Sequence, residues 1–299
     1  MRPGILSPNS QQGFPYYAIA PAVILFVLLG FYPSLQALLL SLQDYDLTSP
    51  EHSFIGLENY RTLIMEDDHY LYSVAFTIVF GFVATALELV VGFTIAYLLA
   101  DKSVSHRFSS MIRTGLLVPF VSAPVVMSYT FKTLIYDQTF GYLNYFLRMT
   151  GSSGIDLFKG VVAAPVGVLV MEVILRTPFI AIVLYAGISS IDESILDAAD
   201  IDGVSWWGRI RLIVLPLIRP VMVIGFVIRF MDALKMFDEM FVVTGGGPGY
   251  VTENISLFAA KRAFVYFEVG YAAAAAFLFL LLIVVLVSLP MRRAFEGAR

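Results

Sequence analysis

VGYAAAAAFLFLLLIVVLVSLPM, residues 269–291, runs for 23 residues without a charged side chain. A helix rises 1.5 Å per residue, so about 20 residues cross the ~30 Å hydrocarbon core of a bilayer. The stretch is predicted to span a membrane. A barrel strand would need segments of about ten residues alternating apolar and polar side chains, whereas this run is apolar throughout. In lipid a backbone N–H or C=O finds no water, and a helix is then the structure that satisfies every one of them. Near the other end, Gly4 to Gln43 is equally free of charge.

Working inward from these two stretches gives six apolar runs: Tyr16 to Leu42, Leu71 to Ala100, Met111 to Tyr136, Val161 to Ser190, Leu212 to Met231 and Val269 to Met291. The composition agrees, with 59% apolar and 14% charged residues and a mean hydropathy of +0.81; soluble domains are about a quarter charged. The expected fold class is an all-α polytopic membrane protein of about six transmembrane helices, with residues 1–299 as a single transmembrane domain. Six helices of about 20 residues use roughly 120 positions, which leaves loops too short for a separate catalytic domain. Function is expected within the membrane or at its faces. Ala18-Ile19-Ala20 has the form of a signal-peptide cleavage triplet, but it opens the apolar run instead of following it, so the first span is expected to remain as an anchor.

Cysteine is absent, which excludes disulfides, Cys-ligated zinc and iron–sulfur clusters, and histidine occurs only at 52, 69 and 106. A net charge of -4 without a basic stripe argues against nucleic acid as a partner. Membrane orientation follows the distribution of Lys and Arg in short loops. Arg2, Lys102, Arg107, Arg113, Arg209, Arg211, Arg292, Arg293 and Arg299 fall on one side, which is predicted to be cytoplasmic together with both termini. The opposite loop, 43–70, carries Asp44, Asp46, Glu51, Glu58, Glu66, Asp67 and Asp68 against Arg61 alone. Lys235, Lys261 and Arg262, which follow the fifth span in and just before the long loop of about 237–268, run against this pattern.

Between the fourth and fifth spans, residues 190–216 read as two short helices with a glycine joint. Ser190 with Glu193 fits a capping box, Gly203 can take the left-handed conformation that ends a helix, and Ser205 can cap the next. Ala198 and Ala199 permit close helix approach. Trp206 and Trp207, the only tryptophans, suit either a partner's groove or the membrane interface, where Trp is enriched.

Asp197-Ala-Ala199, Gly203 and Ile213-Val-Leu215-Pro216 resemble the EAA loop of bacterial binding-protein-dependent ABC importer permeases. Asp197 stands where that family usually has Glu, which keeps the charge. Tyr32-Pro33, Asp44-Tyr-Asp-Leu47, Phe54 to Tyr60, and Phe237-Asp238 leading to Thr244-Gly-Gly-Gly-Pro-Gly249 extend the resemblance, most closely to the MalF-like permeases of carbohydrate importers. The resemblance implies a type I importer permease fold in the bacterial inner membrane and an ATP-driven uptake function. It implies that Asp197, Ala198, Ala199, Asp202, Gly203, Leu215 and Pro216 couple to an ATPase. The implied partners are a second, homologous permease subunit, two ATPase subunits that hold the ATP and Mg, and an extracytoplasmic solute-binding protein. The chain itself is then expected to need no cofactor and to be a conduit, not an enzyme. The competing reading is an ion-coupled secondary transporter, whose inverted repeats are not apparent here.

Other patterns are weaker. Gly245-Gly-Gly-Pro-Gly249 is followed by Tyr250 instead of the Lys and Ser or Thr of a phosphate-binding loop, and reads as a tight turn. Gly151-Ser-Ser-Gly154 has the form of an intramembrane serine-protease motif, but no histidine base follows His106; a loop is expected. No metal-ligating cluster is expected. Charges inside the spans cost at least ~2.5 kcal/mol each unless paired or hydrated. Glu88, Lys132, Glu172, Arg176, Arg219 and Arg229 lie there, with Asp232 just beyond. Glu172 with Arg176 and Arg229 with Asp232 sit at helical spacings that allow ion pairs within one helix. They either fix packing or line a wet translocation path. The resemblance favours a path, since MalF-like permeases contact sugar from these two helices, at positions matching Glu172, Leu175, Arg176, Phe179, Arg229, Asp232, Ala233 and Met236.

Overall fold

The computed structural model describes residues 19–49, 52–101 and 103–296, with side chains through Leu286 except at the breaks, and at Ser288. Tyr16, Ala18 and the charges of Arg2, Glu51, Lys102, Arg292, Arg293 and Arg299 lie outside the described residues or side chains. In chain order the elements are α1 (Ile19–Ser41), β1 (Gln43–Asp44), β2 (Ser53–Phe54), α2 (Glu58–Met65), α3 (Asp68–Ala100), α4 (His106–Val121) and α5 (Pro124–Ile135). They continue with α6 (Tyr142–Met149), α7 (Ala163–Ser189), α8 (Glu193–Ile201), α9 (Trp206–Leu234), α10 (Asp238–Val243), α11 (Ile255–Phe264) and α12 (Val269–Glu296). The predicted helical membrane architecture holds: α1, α3, α7, α9 and α12 are each long and apolar enough to cross a bilayer, and the count reaches six where the bent pair α4–α5 is taken as one span.

That pair corrects the continuous span expected over Met111 to Tyr136. The axis turns by 99° between α4 and α5. Pro124 disfavours the helical region for the residue before it, and Ser122 and Ala123 are both extended, with ψ of 146° and 131°. The 237–268 segment is also more ordered than the expected loop, because α10 and α11 lie within it. Likewise the second short helix expected after Gly203 is not separate. It is the first turn of α9, and a π turn at Ile210–Val214, with the Leu215 N–H bonded to the Ile210 carbonyl, carries the helix into Pro216.

Contacts group the described residues into two compact units, one drawn from 1–66 and 259–278 and the other from 67–258 and 279–299. In the first, β1 and β2 pair antiparallel with Gln43 opposite Phe54, and the Asn59 amide donates to the Ser41 and Gln43 carbonyls at 3.0 Å each. The Tyr45 carbonyl accepts from the Gly270 N–H at 3.0 Å. Much of the acidic 43–70 stretch is therefore folded. The Thr48 hydroxyl and N–H both donate to Asp46 at 2.6 Å, which holds that carboxyl below the usual carboxylate range.

In the second unit α3, α7 and α9 pack together, α4 lies on α7, and α5 on α10. Small residues set the closest approach. A Cβ on Gly92 of α3 would stand 2.7 Å from Ile180 Cγ2 and 3.1 Å from the Ala181 nitrogen of α7. Ala84, Val168 and Met171 are fully buried at one end of this contact, and Ala96, Ile180 and Leu184 at the other.

Candidate functional site

Two features stand out from the apolar packing, one buried and one exposed. The buried feature is a chain of ion pairs where α3, α7, α9 and α10 meet. Arg229 of α9 donates through Nε to Glu88 Oε2 at 2.8 Å and through Nη2 to Glu88 Oε1 at 3.0 Å, a bidentate pair across helices. The same Nη2 donates to Glu172 Oε1 of α7 at 3.0 Å. That oxygen lies 3.7 Å from Arg176 Nε, and Arg176 donates onward to Glu239 of α10. Side chains of Glu88, Glu172, Arg229 and Glu239 are all under 5% exposed. Three carboxylates thus share two guanidinium groups in a low-dielectric setting, and Glu172 Oε2 has no partner among the described residues.

The pairs expected within single helices do form, at 3.7 Å for Glu172 with Arg176 and 3.8 Å for Arg229 with Asp232. They are the long links; the short ones join different helices. Glu88 was legible as an intramembrane acid but not as the partner of Arg229. Glu239 was not legible at all, because its segment reads as a loop. Of the residues expected to face solute, Glu172, Leu175, Arg229, Ala233 and Met236 are buried. Arg176 is partly open and Asp232 is half exposed, its carboxylate 3.5 Å from Lys235. Phe179 is partly buried and stacks on Phe120 with ring centroids 5.4 Å apart. Arg219 is exposed, and Lys132 donates to the Val242 carbonyl at 2.8 Å, tying α5 to α10.

The exposed feature is α8 and the start of α9. Asp192 caps α8 by accepting from the Ser194 N–H at 2.9 Å, and hydrogen bonds from Ser194 hold its carboxyl below the usual range. This corrects the capping box expected at Ser190: that residue is still helical, closes α7, and donates its hydroxyl to the Gly187 carbonyl at 2.8 Å. At the far end the Gly203 N–H bonds the Asp200 carbonyl at 3.2 Å and the Val204 N–H bonds the Ala199 carbonyl at 3.0 Å, a Schellman motif with Gly203 at φ +69°. Ser205 caps α9 through the Gly208 N–H, as expected. Asp197, Ala198, Asp202 and Gly203 are exposed, Ala199 is buried, Leu215 is half-buried and Pro216 exposed. Arg209 clips the turn together through the Asp200 carboxylate at 2.9 Å and the Leu196 carbonyl at 3.1 Å. Among the described residues no cluster of His, Asp or Glu is placed to hold a metal ion.

Apolar spans tied by a buried ionic chain, with an exposed helix and glycine joint at one end, are the features of a membrane protein that the comparisons with known sequences place in a transport system. The chain belongs to the family described as "Binding-protein-dependent transport system inner membrane component", whose sequence profile matches residues 88–294. The trehalose/maltose transport system permease protein MalF of Thermococcus litoralis is 31% identical over 255 residues, covering 85% of this chain and 83% of that protein. The sn-glycerol-3-phosphate transport system permease protein UgpA of Agrobacterium fabrum is 32% identical over 277 residues, 90% of each chain. The solved structure of a bacterial alginate ABC transporter in complex with an alginate pentasaccharide-bound periplasmic protein shares the fold, with a TM-score of 0.78 over 94% of both chains at 18% identity. The chain is a permease subunit of an ABC importer and not an enzyme, and the ion-coupled alternative is set aside.

Proposed function

We propose that the chain is one of two homologous membrane subunits of an importer that takes up a carbohydrate or related polyhydroxylated solute. The solute is delivered by an extracytoplasmic binding protein that meets the 237–268 segment. Two cytoplasmic ATPase subunits bind ATP and Mg, and residues 190–216 couple them to the membrane helices. Both termini are cytoplasmic, and residues 1–299 work as one permease domain. The observation that carries this reading is α8: an exposed helix bearing Asp197 and Ala198, closed by Asp202 and Gly203, in a chain 31% identical to a MalF permease. Relatives named for trehalose or maltose and for sn-glycerol-3-phosphate carry solutes rich in hydroxyl groups, which support the cargo class.

In this reading solute meets the open edge of the ionic chain. Arg176 and Asp232 offer a donor fork and an acceptor carboxylate to hydroxyl groups, and Phe179 offers a ring to the apolar face of a sugar. Glu172, Leu175, Arg229, Ala233 and Met236 hold that edge in place from beneath. The test is co-purification followed by reconstitution in vesicles with the binding protein, itself screened by thermal shift against neutral sugars and glycerol phosphates. An ATPase is expected to co-purify, and Arg176→Gln is expected to lower uptake about tenfold or more, the effect of one charge-assisted hydrogen bond, while basal ATPase activity persists. A chain that purifies without an ATPase overturns the importer assignment. Unchanged uptake in Arg176→Gln overturns the solute contact.

A further inference from the structure

A groove of about 410 Å³ runs between α3 and α9, lined by Leu89, Phe93 and Tyr97 on one side and Ile210, Leu215 and Met222 on the other. From Arg211 to Met222 it follows α9 for about 17 Å at 1.5 Å per residue, roughly half of the ~30 Å hydrocarbon core. Its length thus matches the depth of one leaflet. That length and the apolar walls suit an extended hydrocarbon chain.

The mouth of the groove has a different chemistry from its walls. It lies where α3 ends at Ala100 and α9 begins, and it is flanked by Trp206 and Trp207, half exposed or more, with perpendicular rings 4.5 Å apart. Indoles favour the boundary between headgroups and hydrocarbon. Arg211 lines the same mouth, exposed and with no ion pair among the described residues, while its neighbour Arg209 is engaged by Asp200 and Leu196. A guanidinium fork at headgroup level, above an apolar slot of one-leaflet depth, is complementary to a phosphodiester carrying an acyl chain. We propose that this groove is a binding site for one anionic glycerophospholipid, its acyl chain lying between α3 and α9 and its phosphate on Arg211.

The site is tested on the protein purified in lipid nanodiscs with its bound subunits, using phosphatidylglycerol that carries a photoactivatable diazirine in the acyl chain. Cross-linked peptides are then mapped by mass spectrometry. Labelling is expected in 93–98 and 210–222, and unlabelled phosphatidylglycerol is expected to compete about fivefold better than phosphatidylcholine, the preference one basic side chain confers. Arg211→Glu should abolish that preference. Thr94→Trp, which fills the slot from an exposed lining position, should remove the groove label while label on the exposed Leu28 and Leu29 of α1 persists. Equal competition by the two lipids, label that survives both substitutions, or a groove left unlabelled because another subunit covers it would each overturn the proposal. The competition arm uses the wild-type protein and decides the matter even where a variant fails to assemble.

Discussion

Arg229 shows how one side chain organises three helices. It arises from α9, grips Glu88 of α3 with two hydrogen bonds and Glu172 of α7 with a third, and is 4% exposed while doing so. Removing the guanidinium leaves two carboxylates desolvated with their main cation gone, a change that costs ~3–5 kcal/mol in buried ion pairs. Arg229→Ala is therefore expected to lower the thermal stability of the purified complex sharply and to reduce its yield. Asp232, 53% exposed and 3.8 Å from the same guanidinium, is a screened partner worth ~0–1 kcal/mol, so Asp232→Asn is expected to leave the melting temperature nearly unchanged. Equal stability losses in the two variants would refute the assignment of Arg229 to the packing of the helices. The spacing of charges in the sequence pointed to 229 with 232 and 172 with 176. Which acid lay across the interface was invisible, because Glu88 stands 141 positions from Arg229.

At the scale of elements, the joint after α8 was legible because its chemistry is local. A glycine at C′ and a serine three positions before an N–H it caps are features of a few consecutive residues, and the structure has both. A Cβ on Gly203 meets nothing within 4 Å, so its constraint is the φ of +69° and not crowding. Left-handed backbone costs an ordinary L-residue roughly 1–2 kcal/mol, while Asn tolerates it. Gly203→Val is expected to leave the subunits assembled but to reduce ATP-driven uptake per ATP hydrolysed, and Gly203→Asn to stay close to wild type. The readout is the ratio of the two rates in vesicles, and an unchanged ratio in Gly203→Val would count against a coupling role. By contrast, Gly92 gave no local signal. Its role comes from Ile180, which approaches from another helix, and a glycine in an apolar run looks the same whether or not a neighbour presses on it.

At the scale of the whole molecule, the tally of Lys and Arg predicts that α8 and the acidic 43–70 stretch face opposite sides of the membrane. The chain has no native cysteine, so single cysteines at the exposed positions Ser53 and Ser205 are clean reporters. An impermeant thiol reagent on intact cells is expected to label Ser53→Cys and to spare Ser205→Cys until the membrane is opened; the reverse pattern would invert the topology. Charge-free runs of about 20 residues are enough to specify membrane helices, since lipid offers the backbone no other partner. The helical class, the approximate spans and the glycine joint after α8 therefore followed from the sequence alone. Tertiary structure decided where the third span breaks, which was legible only as prolines at 119 and 124, and how the 237–268 segment folds into α10 and α11. It also decided which carboxylates Arg176 and Arg229 meet. Propensity and hydropathy sum over neighbours in the chain, whereas ion pairing and close packing depend on distances between helices, which the order of residues does not state.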